Sequence, residues 1–278
     1  MSDPPGRTEV EAENAPQPAA EASTPPWLPS PPQVHKYESL ELIAEAAAKR
    51  FLETAKRAVE KADRFIVVLA GGSTPRGLYR RLTESPYREK VPWRQTYFVF
   101  GDERCVPPDD ESSNYRMVHE TLLGPLEIPE TRVLRMKGEQ VPADAARHYE
   151  VRLSDLFLNL PKRHFDLTLL GIGRDGHTAS LFPGTAALEE KERWVAANEV
   201  PELGWRLTLT FKALNSSRHV IFLAAGEDKA QVVAEAFGGV EHPEPHPCER
   251  VAPLHVRREV LIDHGAASKI PPKEPASD

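Results

Sequence analysis

Short, continuously apolar runs alternate along this chain with segments of helical period, and that rhythm predicts its architecture. Ser39 to Lys61 reads as a helix, RFIVVLA as a strand, Arg76 to Leu82 as a helix and TYFVFG as a second strand. The order continues through helical Asn114 to Leu123 and Ala143 to Leu158, the strand DLTLLGI, the strand-like RLTLTF, then VIFLAA followed by a helix over Lys229 to Phe237. The run EVLID closes the series. Fully apolar strands separated by helices predict an α/β, Rossmann-like three-layer fold. Its mainly parallel sheet is covered by helices on both faces, and ligands bind at the carboxyl ends of the strands. No internal repeat is visible.

The two ends break the rhythm. Residues 1–33 hold nine of the 27 prolines among Ala, Ser and Glu, with too few large apolar groups to offset the entropy of ordering. They read as a disordered Pro-rich tail, and residues 270–278 as a second one. Residues 34–269 remain as a single catalytic domain, a length able to bury a substantial core. No apolar run reaches the roughly 18 residues of a membrane span, and the start lacks a signal-peptide pattern, so the expected location is cytoplasmic. Two distant cysteines, Cys105 and Cys248, make neither a disulfide framework nor a CxxC knuckle. The net charge of −7 argues against a nucleic-acid partner but leaves room for a local patch gripping one small anion.

Three strand ends carry candidate chemistry. In AGGSTPRGLYRRL, Gly72, Ser73 and Thr74 lead into a helix opened by Pro75, so free amides and hydroxyls meet the positive end of a helix dipole and form a phosphate cradle. A nucleotide P-loop is excluded because no Gly-Lys-Ser/Thr follows. In FVFGDERCVPPDDESSNY, an apolar strand delivers Asp102, Glu103 and Arg104 at once. Arg104 is suited to an anion or a developing oxyanion, and Asn114 is read as the cap of the following helix. In FDLTLLGIGRDGHTASLFPGT, glycines present Asp175 beside His177. Free histidine titrates near about 6.5 and can accept a proton at neutral pH.

GIGRDG matches a dinucleotide fingerprint only literally, since Pro183 arrives before a helix long enough to carry a pyrophosphate. No GxSxG elbow surrounds Ser180, so it is not read as a nucleophile. Arg206 and Lys229 sit where strands meet loops and complete a candidate phosphate patch. His242, His246 and Cys248 have the residue types of a metal site, but interleaved prolines read as an irregular loop, so no metal site is assigned.

Together AGGSTPRGLY, FGDERCVPPDDESSNY and GIGRDGHTASLFPGT resemble the three signature stretches of the 6-phosphogluconolactonases, in the family's order, and the likeness runs from about His35 to Ala267. The resemblance implies a Rossmann-like sheet, no cofactor or metal, and hydrolysis of 6-phospho-D-glucono-1,5-lactone to 6-phospho-D-gluconate in the oxidative pentose phosphate pathway. By position it implies His177 as general base with Asp175 before it and Arg104 at the carbonyl, while Asp102 is a catalytic candidate whose individual role is left open. Gly72, Ser73, Thr74, Arg206 and Lys229 fall toward the phosphate. Arg174 departs from the pattern, with substrate or water as its expected neighbour. Two alternatives share the chemistry of recognition. One is a glucosamine-6-phosphate deaminase-like isomerase, whose motif has GHIAFNEP where this chain has GHTASLFP, and the other is a non-catalytic sugar-phosphate sensor. The sole expected partner is the small-molecule substrate, with no nucleic acid or membrane, and the oligomeric state is left open.

Overall fold

The computed structural model describes residues 31–158, 160, 162–254 and 256–272, so the stretches 1–30 and 273–278, which take in most of both predicted tails, lie outside the described residues. The chain enters through strand β1 (Gln33–Tyr37), helix α1 (Leu40–Ala62), β2 (Phe65–Leu69), α2 (Ser73–Leu82) and the short α3 (Tyr87–Lys90). Next come β3 (Thr96–Phe100), β4 (Asp102–Arg104), α4 (Asn114–Val118), β5 (Val133–Leu134), α5 (Pro142–Leu156) and β6 (Leu167–Gly171). The last part holds β7 (Val195–Val200), β8 (Gly204–Leu209), α6 (Phe211–Leu214), β9 (His219–Ala224), α7 (Ala230–Phe237), α8 (Pro247–Arg250) and β10 (Arg257–Asp263).

Seven strands form one parallel sheet in the order β1-β10-β9-β6-β2-β3-β5. Its central strands are apolar on both faces: all of FIVVL and all of HVIFLA are buried, as expected where helices cover both sides. Chain order reverses between β2 and β6, and there the sheet opens a crevice at its carboxyl edge. Two buried tyrosines brace that edge. Tyr79 Oη donates to the Ala70 carbonyl at 2.7 Å and accepts the Ala70 amide at 2.9 Å, and Tyr149 Oη accepts the Phe100 amide at 2.8 Å.

α1 buries Ile43, Ala47, Phe51, Ala55 and Ala58 at helical spacing, starts at Ser39, whose hydroxyl accepts the Leu42 amide, and ends on Asp63 in the left-handed region. α2 begins at Ser73, so Pro75 is its third residue rather than its first. The predicted helix over Asn114 to Leu123 is found as α4 continued by a π-helical turn over His119–Leu123.

RLTLTF departs from the expected series. It forms most of β8, which lies outside the parallel sheet in a separate antiparallel sheet of order β4-β8-β7. Gly101 joins the two sheets: its amide donates to the Leu69 carbonyl of β2 at 2.9 Å and its carbonyl accepts the Leu209 amide of β8 at 2.8 Å. Strands β1, β4, β5 and β7 were not expected. Ile270, at the start of the predicted C-terminal tail, packs partly buried against the core.

Candidate active site

The turn after β2 reaches α2 through Gly72, whose φ of 104° a side chain would resist. No side chain caps α2, so its first amides, those of Ser73 and Thr74, stay open to a ligand at the positive end of the helix. Gly71 is required by close packing: a Cβ there would lie 1.9 Å from Asn114 Oδ1.

Beyond Gly101, β4 sends three charged side chains different ways. Glu103 turns inward, 2 % exposed, and accepts amides from Arg104, Asn114 and Tyr115 at 2.7–2.8 Å, which ties it to the start of α4. Burial pushes its carboxyl up despite those amides. The helix cap is Ser113, whose Oγ accepts the Arg116 amide; Asn114, expected there, instead donates to the Asp102 carbonyl at 3.0 Å and to Oδ1 of its carboxylate at 3.2 Å. Asp102 Oδ2 accepts Ser180 Oγ at 2.7 Å.

Arg104 and Arg206 are direct partners in the β4–β8 ladder. Like charges directly opposed across a sheet are destabilising unless something neutralises them. Among the described residues, these guanidinium groups make their hydrogen bonds to backbone carbonyls: Arg104 to Ser112, Arg206 to Leu203 at 2.6 Å and Trp205 at 3.0 Å. Burial, with the positive field of Arg104, lowers the pKa of Arg206. The pair is an anion site by its electrostatics.

After β6 the chain turns through Gly173 and Gly176. A Cβ on Gly173 would meet His177 Nδ1 at 2.0 Å, so the glycine makes room for the imidazole. His177 Nδ1 lies 2.6 Å from Asp175 Oδ1, which also accepts the His177 amide at 3.2 Å. Burial pushes the Asp175 carboxyl up, but the hydrogen bonds from His177 outweigh it and hold the group below the usual carboxylate range. A carboxylate only accepts, so Nδ1 carries a proton, and in the neutral ring the lone pair lies on Nε2. Phe182 stacks on the imidazole with ring centroids 4.0 Å apart.

These segments enclose a cleft of about 410 Å³. Gly72, Ser73, Thr74, Asp102, Arg104, His177, Arg206 and Lys229 all line it, while Asp175 stands behind His177. Lys229 Nζ is 3.5 Å from Asp228, which also holds Arg174 at 2.7 Å. Arg174 is largely exposed and outside the cleft lining. Asn114, Ser180, Phe182 and Leu203 also line the cleft. Sequence reasoning gave them no site role; Ser180 and Phe182 had a signal in the GHTASLFP stretch, Leu203 none.

An α/β fold with a cation-lined cleft at its switch point, holding an acid-anchored histidine, defines an enzyme that handles a small anionic molecule. The model of the family "Glucosamine-6-phosphate isomerases/6-phosphogluconolactonase" matches residues 38–261, and the chain belongs to that family. A 6-phosphogluconolactonase of Haemophilus influenzae is 34% identical over 225 residues, covering 77% of this chain and 95% of its own. The 6-phosphogluconolactonase structure from Trypanosoma cruzi superposes with a TM-score of 0.77 at 29% identity, over 86% of this chain and 97% of that one. A monomeric glucosamine-6-phosphate deaminase superposes with a TM-score of 0.72 at 25% identity, over 85% and 99%. Within the family the chain is a hydrolase of the 6-phosphogluconolactonase type. No helix among the described residues is long and apolar enough to cross a membrane.

Proposed function

We propose that the chain hydrolyses 6-phospho-D-glucono-1,5-lactone to 6-phospho-D-gluconate in the cytoplasm, as the lactone-opening step of the oxidative pentose phosphate pathway, with His177 as general base. One observation carries this reading: an imidazole anchored through Nδ1 opens on the same cleft as two arginines whose hydrogen bonds, among the described residues, go to backbone carbonyls.

In this mechanism Nε2 of His177 takes a proton from water as the water oxygen bonds to the lactone carbonyl carbon. The carbonyl electron pair moves to oxygen, where Arg104 balances the charge. Collapse re-forms the carbonyl and breaks its bond to the ring oxygen. The imidazolium returns its proton to that leaving oxygen, and the acid product ionises. Asp175 holds the tautomer and offsets the transient positive charge. Asp102, held by two neutral donors, keeps acceptor capacity for a water or sugar hydroxyl. The phosphate is received by the open amides of Ser73 and Thr74 beside Gly72, with Arg206 and Lys229 supplying charge.

The test is lactone hydrolysis by the purified protein with excess chelator, corrected for spontaneous opening. His177→Ala is expected to lower kcat by about 10² to 10⁴. Full activity in that variant removes the mechanism. A wild-type rate equal to spontaneous opening removes the reaction, and ammonia release from glucosamine 6-phosphate then distinguishes the isomerase from a sensor.

A further inference from the structure

A second cluster of ligating groups lies behind the histidine turn. One ligand atom each from His242, His246 and Glu249 falls within 4.8 Å of the others. Cys248, grouped with these histidines by residue type, is fully buried instead, and Glu249 takes its place.

The hydrogen bonds around the two rings fix where their protons sit. His242 Nδ1 faces the Val240 carbonyl at 3.1 Å and donates to it, and Nε2 stands 2.8 Å from Glu249 Oε2, so ring and carboxylate share a proton between them. His246 Nε2 faces Glu235 Oε2 at 2.7 Å and likewise carries its proton there, while the other ring nitrogen accepts the Glu249 amide at the start of α8. Two imidazole nitrogens and a carboxylate oxygen therefore converge, and a dication taking them replaces the proton shared by His242 and Glu249 and the amide hydrogen bond to His246. A carbonyl and a carboxylate hold the far nitrogens, which is the outer-shell pattern of metal-bound histidine.

We propose that His242, His246 and Glu249 bind one divalent zinc-class cation. Two imidazoles and a carboxylate suit a borderline first-row dication, with water completing the tetrahedron. Ligands about 2.1 Å from such an ion stand roughly 3.4 Å apart, so on loading the widest gap, at most 4.8 Å, closes while the His242–Glu249 pair opens from 2.8 Å. The irregular segment after Gly239, at φ 78°, supplies that movement. The three side chains are 14 %, 20 % and 24 % exposed, so solvent reaches the site. The site touches the catalytic turn: the Cys248 amide donates to the Gly176 carbonyl at 3.0 Å, and the His246 ring sits where a Gly176 Cβ would stand. An ion here stiffens the wall behind His177 and takes no part in the chemical step.

Titration calorimetry of the chelator-treated full chain with zinc tests this. One equivalent is expected to bind with a Kd below about 10 µM, weakened at least about tenfold by His242→Gln and by Glu249→Gln and unchanged by His177→Ala. Zinc K-edge absorption on the loaded wild type, which is independent of variant folding, is expected to show four N/O ligands including two imidazoles. Absence of binding, binding that survives His242→Gln, binding lost in His177→Ala, or a spectrum without two imidazoles overturns the assignment.

Discussion

Glu259 is fully buried at the centre of β10, and removing its charge tests the frame on which the cleft is hung. Arg50 Nε of α1 stands 2.6 Å from its carboxylate, His219 Nε2 of β9 2.8 Å, Arg257 Nε 2.9 Å and His35 Nε2 of β1 3.0 Å. Burial pushes the carboxyl up, but His219, Arg50 and Arg257 outweigh it and bring the pKa from 4.5 down to about 2. A fall of about 2.5 units corresponds to about 3 kcal/mol of stability. The folded pKa is depressed, so this contribution is complete above pH 4.5 and is lost as pH falls through 2. About 2 kcal/mol of it is already gone at pH 3. Glu259→Gln leaves the half-buried Arg50 without its counter-charge and is expected to cost about 3–5 kcal/mol at pH 7. Urea unfolding of both proteins at pH 7 and pH 3 reads this directly: the gap between them is expected to narrow by about 2 kcal/mol at the lower pH. A gap below about 1 kcal/mol at pH 7, or one that does not change with pH, refutes the reasoning.

Asp175→Asn removes the acceptor that fixes the His177 tautomer, and is expected to lower kcat by about 10² with little change in KM; equal kcat denies Asp175 that role. Arg206→Ala removes the phosphate contact proposed for this residue and is expected to raise KM for the phosphorylated lactone by about 10- to 100-fold, with partial recovery in Arg206→Lys, as read from initial-rate kinetics. Burial pushes the Cys105 thiol up to about 11 and the Cys248 thiol to about 12. At pH 8 the native protein is therefore expected to resist iodoacetamide, as seen by mass spectrometry, and to take up two labels only in denaturant.

The parallel sheet was legible because its central strands are buried on both faces, and FIVVL and HVIFLA therefore read as unbroken apolar runs. QVHKY, on the sheet edge, has no fully buried residue, and VAANEV mixes buried, half-buried and exposed positions, so neither carries a strand signal. RLTLTF looked like a strand and supplies most of one, but periodicity does not name a strand's neighbour: it pairs on one side with Asp102–Arg104, too few residues to show a period, and on the other with VAANEV. The phosphate-side turn and the His177 turn were legible from glycine placement. The contact of Ser180 with Asp102 was not, since it joins residues 78 positions apart. The cation site proposed near α8 was obscured differently: prolines made the loop look irregular, and its carboxylate, Glu249, lies close in sequence to both histidines but is not a residue that a His/Cys pattern picks out.

The attachment of the small antiparallel sheet at Gly101 separates two jobs that most clefts mix. The histidine turn and the α2 amides hang from the ends of the large sheet, whereas Leu203 and Arg206 ride on the β7–β8 hairpin, whose tip turns through Glu202 at φ 64° and Gly204 at φ 77°. Residues can be inserted or exchanged at that tip without shifting a strand of the large sheet. Selection acting on the hairpin can therefore redraw the wall that carries Leu203 and Arg206 while leaving the turn of Asp175 and His177 where it is, so one scaffold can vary its fit without rebuilding both walls.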